Sequence, residues 1–303
     1  MSVHTTVRFD SHGTACDAWH FEGQGDAFTT SAGRPVVVMA HGLAGTKDSG
    51  LEPFARRLAE AGLDVLAFDY RGFGASEGTP RQRVSMEGQL ADYRAAMSTA
   101  AALPGVDPSR IVLWGVSLAG GHVLAAGAGR DDVAAVVSLT PLVDGVAAGR
   151  HALKSHKASA LLRSTVAGVR SKIASGRGKA AVTMPVVGRP GEVAALTLDG
   201  LYEDYLSIAG PTWVNEVDAA VGLELGGHRP GKLASQVTCP MLVQVADFDR
   251  SAPPHAAMKA AFKGRAEVRH YPCDHFDVWP GKEWFEPAVE HQVRFLQRHL
   301  ASS

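Results

Sequence analysis

Two apolar patterns alternate along the first half of the chain. Val36-Val37-Val38-Met39-Ala40, Val65-Leu66-Ala67-Phe68, Ile111-Val112-Leu113-Trp114 and Val133 to Leu139 are short runs that are apolar at nearly every position. Between them lie helical patterns. Leu51, Phe54, Leu58 and Ala61 recur at helical spacing before Gly62, residues 85–102 read as a second helix, and an Ala/Gly-rich helix follows Ser117. Strands apolar on both faces, separated by helices, predict a parallel sheet covered on both sides. Ahead of them, Thr6 to Phe9 and Ala15 to Phe21 read as an antiparallel edge hairpin turning at Asp10-Ser11-His12-Gly13.

The rhythm breaks at Pro141. No clear strand appears until the run Pro240 to Val245, and the gap is too long for a simple loop. A helix near 254–263, a strand from Val268 to Tyr271 and a last helix carrying Phe285, Val289, Val293, Leu296 and Leu300 complete the chain. The expected organisation is a core of residues 1–140 and 237–303. Residues 141–236 form a mostly helical cap over the carboxyl ends of the strands, where open α/β sheets bind ligands. Between Gly145 and Gly191 there is no Asp or Glu, while Arg150, Lys154, Lys157, Arg163, Arg170 and Lys172 supply positive charge. Leu162, Val166, Val169 and Ile173 form an apolar stripe within that stretch, expected to cover the pocket with the basic residues on the solvated face; attraction of an anionic substrate or a membrane surface by the charge from Arg150 to Arg189 is the other reading.

Charge and cysteine content narrow the function classes. Hydrophobic residues make up 46% and charged ones 20% of the 303 residues, an ordinary globular balance. A formal net charge of -1 gives no global field for nucleic acid. No apolar stretch is long enough to span a bilayer, and the N-terminus lacks a signal-like apolar segment, so a cytoplasmic location is expected. Cys16, Cys239 and Cys273 are too few and too scattered for a disulfide framework or metal cluster and are expected to be reduced thiols.

The candidate chemistry lies where strands end. Trp114-Gly115-Val116-Ser117-Leu118-Ala119 nearly matches G-x-S-x-G, the strand–turn–helix elbow that exposes a nucleophilic serine, but places Ala119 where the motif has glycine. Alone, so short a match also fits a buried serine at a strand end. A serine needs a histidine to take its proton and a carboxylate to hold that histidine. Asp247-Phe248-Asp249 follows one late strand and Asp274-His275-Phe276-Asp277 follows the next, which gives the order serine, acid, histidine. Asp247, Asp249 and Asp144 are open as the acid; Asp144 otherwise sits in the first turn of the cap. Asp274 and Asp277 are too near His275 in sequence to orient its ring and are expected to be solvated or bonded locally. His122 is expected to pack or bond within its own helix, and His151 and His156 lack metal-ligand spacing.

Four motifs together resemble the α/β-hydrolase family over nearly the whole chain outside the cap. They are His41-Gly42-Leu43-Ala44-Gly45, the stretch Asp69 to Gly78, the serine elbow and the Asp/His loops. The branch they resemble contains bacterial X-Pro peptidase-like and dienelactone-hydrolase-like proteins. The resemblance implies an α/β fold, a mostly parallel eight-stranded sheet with helices on both faces and an inserted helical cap. It implies catalytic Ser117, Asp249 (four residues before Pro253) and His275, with backbone N–H groups of Leu43 and Leu118 as the oxyanion hole. His41 then orients its loop, and Arg71 ties neighbouring loops. The implied activity is hydrolysis of a carboxylic ester, or a related thioester or lactone, with no metal or organic cofactor. The same triad would serve an acyltransferase or a peptidase/amidase, and a non-catalytic ligand receptor is the alternative of another class. The expected partner is a small-molecule acyl substrate, without nucleic acid or stable membrane insertion; a homodimer stays open.

Overall fold

A computed structural model describes residues 4–155, 158–177 and 180–301. The chain opens with β1 (Thr5–Ser11) and β2 (Thr14–Phe21), followed by β3 (Arg34–Ala40), α1 (Leu51–Glu60), β4 (Asp64–Phe68), α2 (Met86–Ala101), β5 (Val106–Val116), α3 (Leu118–Gly127) and β6 (Val133–Leu139). The inserted segment holds α4 (Gly145–Ser155), α5 (Ala158–Gly176), β7 (Thr183–Met184), α6 (Leu201–Ile208), β8 (Val217–Asp218), α7 (Val221–Gly227) and two single 3-10 turns. Then come β9 (Met241–Ala246), α8 (Pro254–Lys263), β10 (Glu267–Tyr271) and α9 (Phe285–Leu300).

Eight strands form one sheet in the order β1-β2-β4-β3-β5-β6-β9-β10. Only the β1–β2 and β2–β4 pairings are antiparallel. The edge hairpin turns at His12 and Gly13, both at positive φ, as a two-residue hairpin turn requires. Every residue of β4 and β9, and all but the first of β3, is buried, which explains why they are apolar except at Asp64 and Gln244. β7 and β8 pair with each other alone, a two-residue ladder that sequence reading missed.

The chain leaves the sheet after β6 and returns at β9, and those two strands pair directly, from Val136↔Met241 to Leu139↔Gln244. A buried side-chain network reinforces this join. Trp114 Nε1 of β5 donates to Gln292 Oε1 of α9 (2.9 Å), and Gln292 Nε2 donates to Gln244 Oε1 of β9 (2.7 Å). Gln244 Nε2 in turn donates to the Tyr271 hydroxyl of β10 (2.6 Å) and to Ala288 O of α9 (2.9 Å). Three strands whose ends carry the candidate chemistry are thus tied to one helix. At the other side of the sheet Arg71 pairs with Asp92 of α2 (2.6 Å) and donates to Ser11 Oγ (2.8 Å), joining loops as expected.

The stripe on α5 faces differently from the expectation. Val166, Val169 and Ile173 are 42%, 44% and 48% exposed, whereas Thr165 and Gly168 line the cavity described below. Polar anchoring and close backbone approach set the helix rotation. Ser171 Oγ donates to Asp218 Oδ1 (2.6 Å) and accepts from Val182 N (2.9 Å), and a Cβ on Gly168 would lie 2.8 Å from Ala219 O. His156 and Lys157, and the side chains of Lys154, Leu162 and Arg163, lie outside the described residues. No helix among the described residues is long and apolar enough to cross a membrane.

Candidate active site

Ser117 stands between β5 and α3 with φ 56° and ψ −116°, a conformation that costs a non-glycine residue about 1–3 kcal/mol. Backbone bonds hold it there: Ser117 N donates to Leu139 O (2.9 Å), and Ser117 O accepts from Leu142 N (2.8 Å). Strand and helix nearly touch, since a Cβ on Gly115 would lie 2.2 Å from Ala119 O. The Ala119 methyl is fully buried and fits. The tighter demand falls one residue later, where a Cβ on Gly120 would lie 2.9 Å from Pro141 Cβ and one on Gly121 2.2 Å from Leu142 O. Ala119 therefore leaves the turn intact.

The loop after β3 runs beside the serine, where a Cβ on Gly42 would come within 2.9 Å of Ser117 Cβ. His41 Nδ1 lies 2.9 Å from Gly42 O. A carbonyl only accepts, so Nδ1 holds the proton, and the planar trans peptide sends the Leu43 N–H away from that bond. Burial keeps the His41 pKa below the ordinary value, in accord with a neutral ring. Two side chains from the inserted segment pin the next carbonyls. The Tyr205 hydroxyl donates to Leu43 O (2.7 Å), and Trp213 Nε1 donates to Ala44 O (3.0 Å). Below the loop the buried Lys47 ammonium sits 2.6 Å from Asp69 Oδ2 and 2.7 Å from Asp17 Oδ1. Burial pulls the Lys47 pKa down, but the two carboxylates outweigh it and hold it above the ordinary value. None of Tyr205, Trp213 or Lys47 was singled out from sequence. Backbone carbonyls accept from any donor, so their partners leave no spacing to read.

The late loops bring acid and base together. Asp249 Oδ2 is 2.6 Å from His275 Nδ1, and both side chains are almost fully buried. Asp249 Oδ1 accepts from Ser251 N (2.7 Å) and Ala252 N (2.6 Å), which fixes the carboxylate. Because a carboxylate accepts, Nδ1 carries the proton and the neutral ring presents a bare Nε2. Burial depresses the His275 pKa, yet the Asp249 charge and hydrogen bond, with Asp274 beyond, leave it raised above the ordinary value. Asp274 does more than local bonding: it accepts from His275 N (2.8 Å) and Arg250 N (3.0 Å) and pairs with Arg250 Nε (2.5 Å), clamping the two loops together. Asp247 turns instead to His270 Nδ1 (2.6 Å). Asp144 accepts from Val146 N (3.0 Å) and Ala147 N (3.1 Å), the bonds of a cap at the start of α4.

Other reactive groups nearby are silent. Burial pushes the Cys273 thiol up to about 12, so it does not compete as a thiolate; all three cysteines are free thiols. His122 bonds outside its helix, with Nε2 2.9 Å from Gln89 Oε1 of α2 and its ring against His228. Burial lowers both of these imidazoles, His228 to about 4. Among the described residues no group of His, Cys, Asp or Glu is arranged to hold a metal ion.

Ser117, His275, Leu43 and Leu118 line one cavity of about 440 Å³, whose remaining wall comes largely from the inserted segment. It lies beyond the carboxyl ends of β3, β5, β9 and β10, where an open α/β sheet binds its ligands.

Known proteins share this architecture. Quorum-quenching protein AidA of Acinetobacter baumannii is 36% identical over 295 residues, covering 96% of this chain and 94% of its own. Polyketide transferase GrgF of a Penicillium species is 33% identical over 144 residues, 48% of each chain. The crystal structure of α/β hydrolase GrgF from Penicillium sp. sh18 aligns with a TM-score of 0.78 at 22% identity, over 98% of this chain and 99% of that one. Thiohydrolase aneE of Aspergillus aculeatus is 37% identical over 121 residues, 40% of this chain and 38% of its own. A family model described as serine aminopeptidase, S33, matches residues 31–273. The chain therefore belongs to the serine aminopeptidase S33 family and is an enzyme of the α/β-hydrolase fold.

Proposed function

We propose that the protein is a serine hydrolase that cleaves a carboxylic ester, or the related thioester or lactone, of a small molecule. Ser117 is the nucleophile, His275 the general base and acid, and Asp249 the group that orients His275. The observation that carries this reading is the buried Asp249–His275 pair, whose imidazole lines the same cavity as the strained Ser117. His275 Nε2 takes the hydroxyl proton while Ser117 Oγ adds to the acyl carbon. The N–H groups of Leu118 and Leu43 stabilise the oxyanion, whose collapse expels an alcohol or thiol that receives the proton from His275. A water then adds to the acyl-enzyme, its proton passing through His275 back to Ser117 as the acid leaves. Residues 141–236 act as a cap that excludes water and selects the substrate.

Ser117→Ala tests the reading. Turnover of activated esters such as p-nitrophenyl butyrate is expected to fall by at least about 10⁴-fold, and a fluorophosphonate that labels the native protein is expected to leave the variant unlabelled. Undiminished hydrolysis by the variant would overturn the mechanism, and a native protein that resists labelling would point to a receptor. A second reading, acyl transfer to another acceptor, draws on the relative named as a polyketide transferase. Product analysis with added alcohols or amines separates transfer from hydrolysis.

A further inference from the structure

The cavity wall contributed by the inserted segment contains glycines of two kinds. At Gly145 a Cβ would lie 1.6 Å from Leu225 O, and at Gly168 2.8 Å from Ala219 O, so neighbouring backbone forbids a side chain there. At Gly149 of α4 and Gly222 of α7, as at Gly226 near the end of α7, a Cβ would meet nothing within 4 Å among the described residues, and none of the three has a positive φ. Glycine within a helix is destabilising relative to alanine, so neither local stability nor packing against the described residues calls for it at Gly149 and Gly222. Gly149 and Gly222 are both exposed and both line the cavity that holds Ser117, so a side chain added at either meets open space at the cavity wall rather than packed atoms.

The chemistry of the wall says what fits. Beside these glycines lie Ala148, Ala152, Leu196 and Leu225. Among the described residues, Arg250 and Glu192 are the charged side chains lining the cavity, apart from the histidines; Arg250 pairs with Asp274, and Glu192 accepts from Arg189 N. Among the described residues the wall thus offers a largely aliphatic surface in which Arg250 is paired and the Glu192 carboxylate has a backbone N–H for a partner. A volume of about 440 Å³ is near the lower end of small-molecule sites, which run roughly 300–1,000 Å³, and suits a chain of medium length.

Building on the hydrolase reading, we propose that the substrate's acyl group is a medium-length aliphatic chain held by the inserted helices. Gly149 and Gly222 set how long a chain is accepted. The test is the profile of kcat/KM for p-nitrophenyl esters from acetate to hexadecanoate, in the native protein and in Gly149→Ala, Gly149→Val, Gly149→Leu and Gly222→Leu. Native kcat/KM rises with each methylene, by up to about fourfold (equivalent to ~0.8 kcal/mol), until the cavity is full. Across the Gly149 series the optimum moves stepwise to shorter chains, and in the two leucine variants the decanoate-to-acetate ratio falls at least tenfold. Misfolding would lower all chain lengths together and leave that ratio unchanged. An optimum that stays fixed across these variants overturns the assignment while leaving the hydrolase reading intact. Calorimetric binding of 1-decanol to the Ser117→Ala protein supplies a readout without turnover. Decanol binding weakened at least tenfold by Gly149→Leu supports the chain site even if no ester is hydrolysed, an outcome that would sink only the hydrolase reading. Decanol that does not bind, or binds equally in both proteins, overturns the chain site.

Discussion

At the scale of single residues, the Asp249–His275 pair makes activity and stability respond oppositely to pH. Only the neutral His275 ring can accept a proton, and Asp249 holds its pKa above the ordinary value. The acid limb of the kcat/KM profile is therefore expected above about pH 6.5, the unperturbed histidine value. Asp249→Asn is expected to move that limb toward acid and to lower kcat by about 10³–10⁴-fold. A native limb centred at or below the unperturbed value would contradict the assignment. Stability runs the other way. A pKa raised by folding contributes stability that is complete below the unfolded value and is lost as pH rises through the folded one. The pair thus strengthens the fold where the base is idle and releases that stabilisation as the base becomes competent.

At the scale of elements, α6 of the inserted segment meets the loop after β3 through one hydroxyl. Removing it by Tyr205→Phe frees the Leu43 carbonyl and forfeits about 1 kcal/mol of positioning, roughly fivefold in rate. Steady-state kinetics are expected to show that loss in kcat, with KM changed much less; a change in KM alone would mean that Tyr205 only shapes the cavity. Legibility in the sequence divides along the same line. The strands of the sheet were readable because full burial leaves only apolar residues, as in Val36 to Ala40. The order of Ser117, Asp249 and His275 was readable because each follows a strand end. The inserted segment was not. Its strands β7 and β8 are two residues long and carry no period. The α5 rotation is set by one polar bond from Ser171 and one close approach at Gly168, against the pull of a four-residue apolar stripe. Tertiary contacts of that kind overrule helical periodicity and are invisible to it.

At the scale of the whole molecule, the network from Trp114 through Gln292 and Gln244 to Tyr271 couples the strand that leads to Ser117 to the strands that lead to Asp249 and His275. Gln292→Leu keeps the volume but strands the Trp114 N–H and the Gln244 carbonyl in the core, at about 1–3 kcal/mol each. Urea unfolding is expected to show a lowered midpoint with an unchanged slope, totalling about 2–6 kcal/mol; an unaltered midpoint would show that the network is dispensable. The pairing of β6 with β9 across the inserted segment has a consequence for the order in which the protein comes into being. A ribosome delivers the serine elbow first and the whole insertion next, and only afterwards the strands bearing the carboxylate and the imidazole. Until β9 and β10 dock, the growing polypeptide holds a serine with no base to deprotonate it. On the proposed mechanism reactivity is switched on by the closing steps of assembly, and a truncated product ending within the insertion is expected to resist fluorophosphonate labelling.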